Sequence, residues 1–157
     1  MAALTFTEEF TSTVEAKRLF TAMILEGDSL LPRLLPQVVK SIEAIEGNGG
    51  PGTVKKLTFA EGQHVKHRID ALDKDNLTHS YTAIDGVILL DKFESIAYDI
   101  KFEATPEGGC KGTFVSKYFP KPDAEIKEEE IKEGKEQAAA VYKVVEDYLV
   151  ANPQACA

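Results

Sequence analysis

Two periodicities dominate the chain. Over most of residues 4–119 apolar side chains recur at every second position, and after residue 124 they recur at every third or fourth. The second pattern predicts one long helix over residues 124–152. Ile131, Ala138, Val141, Tyr142, Val145 and Leu149 fall along a single stripe. Glu125, Glu128, Glu129 and Glu130 near its start complement the helix dipole. Glu128 precedes Lys132 by four residues, the favourable order for an ion pair. Pro122 stands ahead of the helix and Pro153 stops it. Gly134 is its weak point, costing about 1 kcal/mol relative to alanine. Ala138, Ala139 and Ala140 fill little volume, so either the helix presses close to its neighbour there or a hollow is left.

The first pattern predicts about seven strands. Leu4, Phe6, Glu8 and Phe10 alternate with Thr5, Thr7, Glu9 and Thr11, which puts Glu8 on the apolar face. Ser12, three residues before Glu15, forms a capping-box pattern ahead of a helix over 16–25. Gly27 ends that helix, and Asp28 caps a second short one over 29–35, interrupted by Pro32 and closed by Pro36. A strand over 38–46 leads into Gly47-Asn48-Gly49-Gly50-Pro51-Gly52. No Gly-Lys-Ser/Thr follows and Thr53 opens a strand, so this run reads as a tight connection with positive φ, not a phosphate loop. Thr53, Lys55, Leu57 and Phe59 share a face of the next strand. Val65, His67, Ile69 and Ala71 share a face of the fourth, and Leu77, His79, Tyr81 and Ala83 a face of the fifth. Ile96, Tyr98, Ile100 and Phe102 alternate, Pro106 to Gly109 turns, and residues 113–119 form the last strand. Hairpin-length connections predict an antiparallel sheet, and the segregation of strands from helices makes the class α+β. With no repeat and no linker, residues 1–157 form one domain.

Composition adds exclusions. The chain carries 26 acidic residues against 18 Lys and Arg, a net charge of −8, which repels nucleic acid at long range. No run has the length of a membrane span, and the N-terminus lacks a signal-peptide core, so a cytoplasmic protein without membrane contact is expected. Two distant cysteines, Cys110 and Cys156, suit free thiols in a reducing compartment. Free cysteines and the lack of a long apolar surface run favour a monomer. Neither a metal site nor a cofactor is expected: His64 and His67, at odd spacing on a strand, do not share a face.

The functional hint is a set of polar residues on faces that otherwise read apolar: Glu8, Lys55, His67, His79 and Tyr81. Buried polar groups need partners, and a packed core rarely holds so many; a small-molecule pocket does. Glu94, Glu146 and Tyr148 form a second constellation, capable of acid/base chemistry only if they converge.

One family joins these features. Glu46 to Thr53 with Lys55-Lys56, Leu25-Glu26-Gly27-Asp28 with Pro32 and Pro36, and Gly86-Val87-Ile88-Leu89 leading to Glu94 all carry the resemblance. Gly108-Gly109-Cys110, Lys117-Tyr118 and Glu146-Asp147-Tyr148-Leu149 before Asn152-Pro153 complete it. End to end, the chain resembles the intracellular class-10 pathogenesis-related proteins of plants, the family of the major birch-pollen allergen. The resemblance implies a helix-grip fold: a curved seven-stranded antiparallel sheet wrapped around the long C-terminal helix, with two short helices after the first strand. It also implies a large apolar cavity that binds cytokinins, flavonoids, sterol-like and other amphipathic metabolites. Glu8, Lys55, His67, His79 and Tyr81 would then orient a ligand's polar groups. Leu57, Phe59, Ile69, Ile100, Val141, Tyr142 and Val145 would supply apolar wall. Antibodies are implied as partners, with the glycine loop as shared epitope.

The resemblance implies two further readings. One is a weak ribonuclease using Lys55, Glu94, Glu146 and Tyr148 with the glycine loop, for which RNA would be a partner. The other is a defence or storage protein with an incidental cavity. Three departures from the family pattern stand out. Thr113 occupies the position aligned with the catalytic lysine of alkaloid-forming relatives. Phe119-Pro120-Lys121-Pro122 replaces His-Thr-Lys-Gly, and His79 replaces a residue that is often aromatic.

Overall fold

The computed structural model describes residues 3–156. Its seven strands are β1 (Leu4–Ser12), β2 (Val39–Glu46), β3 (Val54–Phe59), β4 (His64–Asp73), β5 (Thr78–Gly86), β6 (Phe93–Ala104) and β7 (Cys110–Pro120). They form one antiparallel sheet in the order β1-β7-β6-β5-β4-β3-β2. β2 to β7 form a meander of neighbours; only β1 pairs far along the chain, Leu4 opposite Tyr118 and Ser12 opposite Cys110.

Between β1 and β2 lie α1 (Ala16–Phe20), a π-helical turn over Thr21–Leu25 and α2 (Gly27–Leu34). The expected capping box at the start of α1 does not form. Ser12 Oγ instead accepts the nearer Val14 N–H at 3.1 Å, and Glu15 occupies the cap position without a side-chain bond. Gly27 opens α2 rather than ending its predecessor, which moves Asp28 into the first turn.

The long helix α3 spans Glu128–Ala151. It starts four residues later than the acidic cluster suggested, because Pro122 to Lys127 run as irregular chain. Its apolar stripe is anchored at two ends. Val145 and Leu149 are fully buried among Leu19, Phe20, Ala22, Phe102 and Cys110. Ile131 is buried with Val65, Phe93, Ile96 and Tyr118. Arg18 on α1 locks the C-terminal end. Its guanidinium donates to the carbonyls of Leu149, Asn152 and Ala155 at 3.0–3.1 Å, satisfying orphan acceptors of a helix end and meeting its negative dipole pole.

Five aromatic rings fill the space beneath Val145. Phe10 stacks on Phe114 at 5.2 Å, Tyr142 meets Phe114 at 5.0 Å, and Phe102 meets Phe20 edge-on at 6.0 Å. Phe10 lies flat over Gly112, its partner across β1 and β7. A Cβ at Gly112 would fall inside that ring.

Replacing Leu149 with alanine is expected to lower unfolding free energy by about 2–5 kcal/mol, since the side chain is fully buried between α1 and the sheet. Urea denaturation followed by circular dichroism measures the loss. A loss below about 0.5 kcal/mol, the size of an ordinary surface change, would show that this seam does not anchor α3.

Candidate functional site

The concave face of the sheet turns toward α3, and alternation decides which side chains occupy it. On β5 these are His79, Tyr81 and Ala83, and on β6 Ile96, Tyr98, Ile100 and Phe102. Tyr81 lies directly opposite Tyr98, and their rings stack at 4.9 Å. His67 on β4 approaches Tyr81 at 4.9 Å from one side, and His79 stacks on it at 5.1 Å. Four rings thus form a continuous patch across three strands.

Lys55 on β3 faces His67 across the β3–β4 ladder. Its ammonium pairs with Asp28 at 2.9–3.0 Å, which ties α2 to the sheet. Ile69 and Ile100 are buried, while Leu57, Phe59, Val141 and Tyr142 are half-buried and Val145 is fully buried. Ala71 does not join this face. A bulge between Ile69 and Ala71 shifts the phase of β4, so Ala71 is exposed and Leu72 packs inward instead.

Glu8 reaches toward α3 and pairs with Lys135 at 3.4 Å, half-exposed. The Lys135 ammonium also sits 4.0 Å over the ring of Phe6. Glu8 is therefore a latch between β1 and the helix, on the far side of the sheet from the His–Tyr patch.

Burial sets the protonation of the patch. It pushes His67 down to about 4, helped by His79 and then Lys55. His79 also falls to about 4, mainly through burial; the Ala71 carbonyl opposes this, Lys55 adds to it, and Asp70 opposes it again. Burial raises Tyr81 to about 12 and holds Tyr98 and Tyr142 well above the usual phenol range, with a smaller contribution from Tyr81 in both. At neutral pH the four rings of the patch are uncharged. Nδ1 of His79 is buried with no hydrogen-bond partner.

The second constellation does not assemble. Glu94 is exposed at the start of β6. Glu146 lies near Cys110, which faces Ala104 at the other end of that strand. The two carboxylates are separated along the sheet by about 30 Å at the usual rise of a strand. Glu146 accepts from Lys143 at 3.1 Å, Tyr148 accepts from Arg33 at 3.2 Å, and Lys55 belongs to the His–Tyr patch. Thr113 lies on the outer face of β7, since its neighbours Gly112 and Phe114 carry the inner one, so it does not stand where a cavity lysine would.

The glycine run is a built connection. Gly47 has φ 90°, and a Cβ there would come within 2.8 Å of the Thr53 backbone. Buried Thr53 accepts the Gly49 N–H through Oγ1 at 2.8 Å. Gly52 N–H donates to the Ile69 carbonyl, and Ile69 N–H to Thr53, both at 2.8 Å. The loop base is thereby spliced onto β4, two residues from His67.

Sequence reasoning missed Tyr98 and Lys135 as members of the site. Tyr98 reads as one more apolar position in Ile-Tyr-Ile-Phe, and only its register opposite Tyr81 places it in the patch. Lys135 follows Gly134 on a polar stretch of helix and carries no signal of its own. Among the described residues, no group of three or more His, Cys, Asp or Glu is placed to hold a metal, and no helix is long and apolar enough to cross a membrane.

Comparisons with known proteins agree along the whole length. The model of the pathogenesis-related protein Bet v 1 family matches residues 1–152. The major allergen Pru ar 1 of Prunus armeniaca is 52% identical over 158 residues, covering 99% of each chain. The major strawberry allergen Fra a 1.04 of Fragaria ananassa is 49% identical over 156 residues, covering 98% of each. The crystal structure of Ara h 8.0201 superposes with a TM-score of 0.88 at 37% identity, covering 96% of this chain and 99% of that one. Norcoclaurine synthase from Thalictrum flavum, in complex with dopamine and hydroxybenzaldehyde, superposes with a TM-score of 0.72 at 21% identity, covering 96% and 88%, a likeness of fold alone.

A folded-state value near 4 leaves both imidazoles neutral where an unfolded chain would protonate them near 6.5. The unfolded state then binds more protons, so stability holds above about pH 6.5 and falls as the pH drops toward 4. Ring-proton NMR is expected to show His67 and His79 unprotonated at pH 5.5. Titration of either near 6.5 would mean that its ring is solvated.

Proposed function

This chain belongs to the pathogenesis-related Bet v 1 family, and on that premise we propose that it binds a small apolar or amphipathic metabolite between the sheet and α3, as a carrier or reservoir. One observation carries the reading. The inward stripe of α3 is seated at Ile131 and again at Tyr142, yet between them Ala138 is exposed and Gly134 has nothing within 4 Å of where a Cβ would stand. Eleven residues of helix span about 16 Å. Over that length the long Lys135 side chain reaches Glu8 and the Phe6 ring on β1, while small side chains face the surface that carries the His–Tyr patch.

The chemistry of this surface supports a ligand rather than a solvent cleft. His67, His79, Tyr81, Tyr98 and Tyr142 are deep enough for burial to favour their neutral forms, yet each is only partly covered by the protein. A packed core would cover them, and open solvent would leave their protonation unshifted. An interior hollow does neither. Aromatic rings offer faces for a flat apolar body, and imidazoles and phenols offer a few directed hydrogen bonds. A fold neighbour that holds two small aromatic molecules is in keeping with this use of the fold. Relatives that are major allergens support antibodies as further partners.

The ribonuclease reading draws no support from the geometry, because its residues fall in separate places on a chain of net charge −8.

The test is displacement of an apolar fluorescent dye by a panel of plant metabolites, with an external dye because the chain has no tryptophan. Micromolar displacement by one chemical class is expected. His67→Ala is expected to change that affinity about fivefold or more, the loss of roughly one hydrogen bond, with little change in Tm. Unchanged affinity for every bound compound would remove His67 from the site, and no dye binding at all would remove the hollow.

A further inference from the structure

We infer that the His67–His79 side of the patch takes an apolar carboxylic acid, holding its carboxylate between the two imidazoles and Lys55 and acquiring one proton as it binds. The inference rests on the pocket reading above and names the ligand class of that site.

Three basic side chains meet there from adjacent strands. Lys55 comes from β3, His67 lies opposite it on β4, and His79 comes from β5, with both imidazoles against the Tyr81 ring at 4.9 and 5.1 Å. The acids nearby are already engaged. Asp28 from α2 is held by Lys55. Asp70, on the opposite face of β4, accepts from Arg68 at 2.8 Å and from Thr82. Glu8 lies across the sheet with Lys135. The remaining titratable groups that face the imidazoles are Tyr81, Tyr98 and, from α3, Tyr142, all protonated at neutral pH. In a strongly acidic protein this corner has base in excess, and it contains a buried imidazole nitrogen with no partner.

A phenol would use the neutral rings as they stand. A carboxylate would not. Brought in as a bare anion beside uncharged imidazoles, it would lose its water and gain little. One proton taken from solvent onto an imidazole turns the contact into a charge-assisted hydrogen bond, with Lys55 adding attraction. Apart, both partners are deprotonated above about pH 5: the acid because of its ordinary carboxylate range, the imidazoles because burial lowers them. The complex therefore holds one proton more than its parts. Affinity is then highest in mild acid and falls about tenfold for each unit of rising pH.

The experiment compares 9-anthracenecarboxylic acid with 9-anthracenecarboxamide, both fluorescent, on the full chain. Between pH 5.5 and 7.5 the Kd of the acid is expected to rise about a hundredfold, while that of the amide stays constant. In the double variant His67→Gln, His79→Gln the rings are replaced by groups that hydrogen-bond but cannot take a proton. The acid is expected to lose its pH slope there, and the amide to show no slope in either protein, whatever its affinity. A slope that survives in the double variant would mean that the acid simply enters protonated, and it overturns the inference. So does amide binding beside an acid that shows no slope in the unaltered protein, which leaves the pocket reading standing. Binding of neither probe overturns both. Should the double variant fail to fold, calorimetry of the unaltered protein in two buffers of different ionisation heat reads proton uptake directly. One proton per bound acid is expected, and none overturns the inference.

Discussion

The long helix is held by its ends, and everything else about the molecule follows from that restraint. At one end Val145 and Leu149 press into the aromatic cluster while Arg18 gathers three terminal carbonyls. At the other, Ile131 packs beneath β4, β6 and β7, and Lys92 reaches Glu130 at 2.8 Å. A helix pinned twice need not touch the sheet between the pins. Apolar contact is thereby concentrated at two clusters, with the Lys135 latch to β1 between them. Alanine and glycine put small side chains in the span between the clusters.

The polar lining is tolerable in its neutral form. Imidazole and phenol groups in a dry, fully packed interior would each need a fixed partner. Uncharged groups cost far less to bury, and burial by the surrounding protein favours their neutral forms. Among the described residues, His79 Nδ1 is a buried atom without such a partner.

Most of this was legible in the sequence. Period-two alternation and the late helical stripe were enough for seven strands, three helices and the α+β class, because each element buries one face and so repeats one spacing. What the pattern misplaced has local physical causes. The acids from Glu125 onward favour a helix start, but Pro122-Asp123 form a turn with Asp123 at φ 63°, and the helix begins only at Glu128. Ser12 satisfied a nearer amide than the one a capping box requires. Ala71 was assigned to the inner face because alternation cannot announce a bulge. Within the site, His67, His79 and Tyr81 stood out as polar residues on apolar faces, and the structure gathers them around one ring. Glu94 and Glu146 are joined by residue type and by the resemblance, with no spacing to place them, and they lie near opposite ends of β6.

The sheet's one long-range pairing also has a temporal side. Strands β2 to β7 can zip to their neighbours as the chain emerges from the ribosome, each hairpin closing within a few residues of its turn. β1 is made first and waits longest, because its only partner, β7, is complete after residue 120. Until then the alternating apolar face and open hydrogen-bonding edge of β1 are unpaired, the condition in which a nascent strand is most prone to wrong partners. Threonines at positions 5, 7 and 11 and glutamates at 8 and 9 break up its hydrophobicity. Polar residues between the apolar ones are the kind that restrain an unpaired strand from such pairing.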